Sequence, residues 1–331
     1  LRGRADAQGH PLVAEVLAAN RPPVVGAPET AALEAVKSID LGTVTLGPDG
    51  TATLPLTVRL KVKGGEAAPP RPDAGKPYLD PQDEAKAQAY YATIKLGTPQ
   101  DNFQTLSKLV QATHTTAPSY DPARELYPEI DVWPDGKLRS LYSAREHTSQ
   151  EFIAADRAVR ERRERLARLE NLNVDALEEA LPYNCEHVVP QSWFGKQEPM
   201  RGDLHHLFSC EPDCNSFRGN TPYFDFPDYG GRQEVVRGEC GKREPGQFEP
   251  NWGKGAVARA TLYFLLRYPG VVRQYGPAQL QTLLGWHAAE PPGDWEKHRN
   301  ALIHTRQGNR NPLIDHPEWA TQIDFTQGPG R

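Results

Sequence analysis

Asn184-Cys185-Glu186-His187-Val188-Val189-Pro190 is the stretch on which the reading of this chain turns. A carboxylate and an imidazole stand side by side, succeeded by two β-branched residues and a proline. Neighbours in a strand point to opposite faces. Glu186 and His187 are therefore expected to project in different directions from one short segment. Such a pair can divide two tasks, one residue holding a cation and the other moving a proton. By itself a Glu-His pair at a strand end is most often an ordinary surface pair. Two downstream segments make it specific: Pro199-Met200-Arg201-Gly202-Asp203-Leu204-His205-His206-Leu207, then Asn215-Ser216-Phe217-Arg218-Gly219-Asn220. They supply the carboxylate, amide and guanidinium groups that a phosphodiester-cleaving site requires.

With 331 residues and 38% hydrophobic content, the chain has room for one large or two ordinary domains. No apolar run is long enough to span a bilayer, so no membrane partner is expected. The net charge of −5 argues against tight static binding of nucleic acid. It does not argue against an enzyme that must release its product, because a bound divalent ion supplies positive charge locally.

Four cysteines, Cys185, Cys210, Cys214 and Cys240, all lie in or just after the candidate catalytic stretch. Two readings stand side by side. One is a four-thiolate structural zinc site with Cys210-x3-Cys214 as its close-spaced half. The other is a set of disulfides, for which four cysteines allow three pairings. In either case the cysteines would pin a loop-rich segment with little core of its own.

Along the chain, Leu12, Val13, Val16 and Leu17 at helical spacing predict a helix over 10–20, stopped by Pro22-Pro23. A hairpin is expected across 39–62, turning at Gly47-Pro48-Asp49-Gly50. Residues 64–77 read as a linker. The expected division is an accessory module and linker over 1–80 and a catalytic domain over 81–331. Tyr90-Tyr91 and Leu106, Leu109 and Val110 suit two packed helices; His114 after them reads as structural. Residues 149–180, crowded with Arg and Glu from Arg157 to Arg168, predict a helix with a solvated, ion-paired face. Val257 to Tyr268 is apolar almost all round and predicts a buried helix. Asn309-Arg310-Asn311-Pro312 reads as a hydrogen-bonded buried corner, with Arg310 reaching a phosphate groove as the functional alternative.

The three catalytic-stretch segments, together with Trp295-Glu296-Lys297-His298-Arg299-Asn300 and Asn309-Arg310-Asn311-Pro312-Leu313-Ile314-Asp315, resemble the secreted bacterial endonuclease I family of His-Me finger, or ββα-metal, nucleases. The resemblance covers roughly 85–324, with 149–180 departing from the family pattern as an insertion. It implies an α+β fold in which a finger at about 183–225 is embedded in helices. It implies His187 as general base and Glu186 and Asn215 as ligands of Mg2+, with Mn2+ or Ca2+ able to take its place. Asp203 and His205, two apart on the second strand of a hairpin, are expected as supporting residues, and Arg201 and Arg218 as phosphate clamps. The implied activity is largely sequence-nonspecific cleavage of DNA, with RNA as a further substrate, to 5′-phosphate and 3′-hydroxyl ends by a secreted monomer. The competing reading is a nucleic-acid-binding or structural protein with a decayed site and a cysteine-held finger.

Overall fold

A computed structural model of the chain describes residues 2–5, 11–15, 77–170, 177, 180–229 and 239–330. The chain divides into two compact units, Leu1–Pro72 and Asp73–Arg331. In the first, β1 (Arg2–Ala5) pairs antiparallel with β2 (Pro11–Glu15), Arg2 opposite Glu15 and Arg4 opposite Val13. This overturns the helix expected over 10–20. Leu12 and Val13 sit in a strand, and Val16 and Leu17 lie outside the described residues. A helix that short is marginal without an apolar partner, whereas pairing with β1 satisfies the backbone directly. The expected hairpin over 39–62 also lies outside the described residues, as does all of the expected linker over 64–77 but Pro77.

The second unit is α+β. Its helices are α1 (Asp83–Tyr91), α2 (Pro99–Thr113), α3 (Pro122–Glu125), α4 (Ser149–Glu170), α5 (Pro212–Arg218), α6 (Lys254–Arg267), α7 (Pro277–Ala289), α8 (Asp294–Gln307) and α9 (Pro312–Asp315). Among the described residues, three two-stranded antiparallel ladders lie between them: β3 (Leu138–Arg139) with β4 (Glu146–His147), β5 (Cys185–His187) with β6 (Leu207–Ser209), and β7 (Gly241–Glu244) with β8 (Gln247–Pro250). Among the described residues no helix is long and apolar enough to cross a membrane.

The core is built around α6, in which every residue from Gly255 to Leu266 is buried. Its sequence is apolar almost all round, with Arg259 paired to Glu296, so α2 and α7 pack on it. Gly255 permits a close approach, since a Cβ there would stand 2.5 Å from the Glu290 carbonyl. α2 starts where its sequence says it should. Thr98 accepts from the Asp101 amide, and Pro99 occupies the first turn, where a missing N–H costs nothing. The Asn309–Pro312 corner is buried. Arg310 is fully enclosed, with its fork on Asp315 and Asp83, so the corner is structural rather than part of a phosphate groove. α4 carries Arg157, Arg162, Arg165 and Arg168 on exposed positions, as a solvated face requires.

Candidate active site

The β5 strand is anchored before its functional residues begin. Asn184 donates from both its backbone and side-chain nitrogens to one oxygen of Asp156 on α4, at 2.8 Å each. Tyr127 donates to the other oxygen. Burial raises the Asp156 carboxyl to about 6 despite these donors. β5 and β6 then pair with Cys185 opposite Ser209, Glu186 opposite Phe208 and His187 opposite Leu207. Pairing on the β6 side and the anchor on α4 fix the direction in which Glu186 and His187 project.

Glu186 is only 2% exposed. Its Oε1 accepts from the Tyr142 hydroxyl at 2.8 Å and from Arg218 Nη1 at 3.0 Å. Burial pushes its carboxyl up to about 7, although Arg218 and the Tyr142 hydroxyl oppose the shift. Tyr142 is 0% exposed; with its single proton on Glu186, its hydroxyl oxygen accepts from the Tyr223 hydroxyl at 2.8 Å, and that hydroxyl also lies 3.2 Å from the Val188 carbonyl.

His187 takes the other direction. Its Nε2 lies 2.9 Å from the Arg201 carbonyl oxygen. A carbonyl only accepts, so Nε2 carries the hydrogen and Nδ1 keeps the lone pair. The ring packs 4.7 Å from Tyr120 and 5.6 Å from His206. Burial, then the neighbouring His206, hold its pKa well below the ordinary histidine value, so the ring is neutral.

α5 comes directly after β6, with Pro212 in its first turn. It delivers Asn215 against the start of β5, where Nδ2 donates to the Cys185 carbonyl at 2.8 Å. That bond turns the amide so that Oδ1 faces away from the carbonyl. Arg218, one turn later, is 1% exposed and points inward. Its Nη1 serves Glu186 and its Nη2 the Val188 carbonyl at 2.9 Å. The expectation that Arg218 clamps phosphate is thereby corrected: its fork is spent on Glu186 and backbone. Arg201 is half-buried, with its guanidinium 5.1 Å from the centre of the Tyr120 ring. The structure thus gathers Glu186, His187, Asn215, Arg218 and the Arg201 carbonyl around β5.

Asp203 and His205 lie elsewhere. Neither is on a strand: Asp203 caps a 3-10 turn over Leu204–His206, accepting from the His205 amide, and the strand begins only at Leu207. Asp203 is a buried hub that accepts from Tyr263, Tyr268 and Gln307. It is held down at about 2, with the neighbouring histidines outweighing its burial. His205 packs 4.4 Å from Tyr263 and reaches the Asn309 carbonyl. His206, fully buried, stands beside His187 and is bonded to the Met200 carbonyl at 2.6 Å. Consecutive carbonyls of Met200 and Arg201 therefore hold the two rings.

The four-thiolate zinc reading fails on geometry. Cys214 and Cys240 are joined in a disulfide with Cα atoms 5.2 Å apart, tying α5 to the start of β7. Cys185 and Cys210 are separate buried thiols, pushed well above the usual range by burial. Among the described residues no cluster of three or more His, Cys, Asp or Glu could hold an ion by itself. Glu186 and Asn215, brought to adjacent points of β5, offer one carboxylate and one amide oxygen. That hard, sparse donor set fits Mg2+, which keeps several waters when bound.

Sequence reading missed Tyr142, Tyr223, Tyr120 and His206.

The endonuclease I family model matches residues 101–318. Similar proteins include an extracellular ribonuclease of Bacillus subtilis (strain 168), 35% identical over 160 residues, 43% of this chain and 54% of the relative. An extracellular deoxyribonuclease of Aeromonas hydrophila is 32% identical over 154 residues, 39% of this chain and 64% of that protein. A periplasmic deoxyribonuclease of the same organism is 31% identical over 157 residues, 39% and 62%. The aligned part of the chain spans between about half and two thirds of the length of these relatives. With the family model covering most of the second unit, the chain belongs to the endonuclease I family.

Proposed function

We propose that the chain is a divalent-metal-dependent endonuclease that hydrolyses phosphodiester bonds, with β5, β6 and α5 acting as a ββα-metal finger. The observation that carries this reading is the convergence on β5 of a buried carboxylate, a neutral histidine of fixed tautomer and an amide turned by the Cys185 carbonyl. Glu186 and Asn215 would hold Mg2+, which when bound neutralises developing charge on the phosphate. His187, with Nε2–H bound to the Arg201 carbonyl, presents Nδ1 to take a proton from the attacking water. Low basicity keeps that nitrogen free of a proton at neutral pH. Arg218 and Tyr142 orient Glu186. Arg201, half-buried above Tyr120, is the arginine assigned to the phosphate.

No recognition helix is evident in the sequence, and a site that grips backbone oxygens cuts with little base preference. Relatives described as ribonuclease and as deoxyribonuclease support activity on both polymers, and their extracellular or periplasmic descriptions support secretion. The products are expected to carry 5′-phosphate and 3′-hydroxyl ends. The test is cleavage of supercoiled plasmid and of RNA by the purified chain with Mg2+ and with EDTA. Degradation that EDTA abolishes supports the reading; no cleavage with Mg2+, Mn2+ or Ca2+ overturns it.

A further inference from the structure

The geometry points to Tyr142 as a positioning residue that sets the cation affinity of the site by holding Glu186, an inference that rests on the reading of Glu186 as a metal ligand. Tyr142 stands 44 positions before Glu186 in the chain. It reaches the carboxylate only because its loop is bent for the purpose. Tyr142 has φ 82° and Ala144 φ 57°, two non-glycine residues in the left-handed region within three positions. Such conformations cost on the order of 1–3 kcal/mol each and persist only where surrounding contacts impose them.

Neighbouring elements supply those contacts. Leu141 donates its amide to the Ser209 carbonyl of β6, and Ala144 closes back on the Ser140 carbonyl. The Ser140 hydroxyl accepts from the Glu211 amide, just ahead of α5, and the Ser143 hydroxyl donates to the Glu211 carboxylate at 2.9 Å. Tyr142 also bridges to Trp252, and its ring packs edge-on to Phe248 at 5.1 Å. The loop is thus tied to the strand and the helix that carry the site. A ring that merely filled space would need no hydroxyl, and burying one without partners is costly. Here the hydroxyl is fully engaged by Glu186 and Tyr223.

The arrangement has a directional consequence. Tyr142 and Arg218 both bind Oε1, which leaves Oε2 as the second oxygen for a cation. With two donors on one oxygen, the carboxylate cannot rotate to exchange its oxygens without losing both. Partners of this kind typically change metal affinity 10–100-fold when removed. Tyr223, which donates its one proton to the Tyr142 oxygen at 2.8 Å, fixes the tyrosine hydroxyl in turn.

The experiment is Mn2+ binding to the metal-stripped full chain, read by titration calorimetry, for wild type, Tyr142→Phe, Tyr223→Phe, the double variant and Glu186→Gln. Tyr142→Phe is expected to weaken Mn2+ binding by about 10–100-fold. Tyr223→Phe should weaken it less, and the double variant no more than Tyr142→Phe alone, because the two act through one oxygen. Unchanged affinity in Tyr142→Phe, with binding lost in Glu186→Gln, overturns the inference and leaves the metal site standing. Wild-type affinity in Glu186→Gln removes the metal-ligand reading itself. If Tyr142→Phe does not fold, Tyr223→Phe decides: unchanged affinity there overturns the inference.

Discussion

His187 donates Nε2–H to the carbonyl oxygen of Arg201 at 2.9 Å, and this one bond decides which ring nitrogen is available as a base. The carbonyl is held by its neighbours. Gly202 donates its amide to Glu198, and a Cβ at Gly202 would stand 1.9 Å from the Pro118 carbonyl. Gly202→Ala must therefore displace the peptide that orients His187. The expected outcome is a loss of about 1–3 kcal/mol in stability and at least a tenfold fall in cleavage rate. Denaturant unfolding and initial rates with Mg2+ check both.

The two arginines of the site should separate cleanly. Arg218 lies buried on Glu186, and removing one partner of a buried pair leaves an uncompensated charge, at about 3–5 kcal/mol. Arg218→Met is expected to lower stability by that order. Arg201→Ala removes a half-exposed guanidinium but keeps the carbonyl that serves His187. It should lower the melting temperature less than Arg218→Met does and should lower kcat/KM. Thermal melts beside cleavage kinetics measure the contrast, and equal stability losses in the two variants would contradict the assignment.

The Cys214–Cys240 disulfide has a sequence separation of 26. A loop of this length is worth about 3.5 kcal/mol in chain entropy. Reduction should lower the melting temperature and loosen α5, which carries Asn215. Cys185 and Cys210, both buried with raised thiol pKa values, should react with a thiol reagent only after denaturant is added. Thiol counting with and without denaturant tests this, and four reactive thiols in the unreduced, unfolded chain would contradict the pairing.

Asp203 makes stability depend on acid. Its folded pKa of about 2 lies below the ordinary aspartate value of 3.8. A depressed pKa contributes stability that is present above the unfolded value and lost as pH falls through the folded one. The window therefore runs from about pH 4 down to about pH 2. At about 1.4 kcal/mol per unit, the loss across it is on the order of 2 kcal/mol. Urea unfolding at stepped pH should show this slope in wild type and a flatter one in Asp203→Asn.

Much of the fold and the site was legible in the residues. Val257 to Tyr268, apolar almost all round, pointed to a buried helix, and Pro212 marked where α5 begins. The motif also pointed to Glu186, His187 and Asn215, which the fold brings together. What failed did so for physical reasons. Asp203 and His205 share a face only if the backbone is a strand; a 3-10 turn has about three residues per turn, so alternation gives way and His206 takes the place beside His187. Tyr142 leaves no trace in local pattern, because its reach depends on left-handed backbone and on contacts with Ser209 and Glu211 far along the chain. The inward turn of Arg218 depends equally on a partner, Glu186, that only the β5–α5 packing supplies.

Whether His187 is the general base is decided by cleavage of supercoiled plasmid with His187→Ala, beside wild type at saturating Mg2+ and with circular dichroism to establish folding. The expected result is a folded variant whose rate falls by about 10²–10⁴-fold, the usual contribution of a positioned general base. A folded variant that cuts at the wild-type rate would contradict the mechanism.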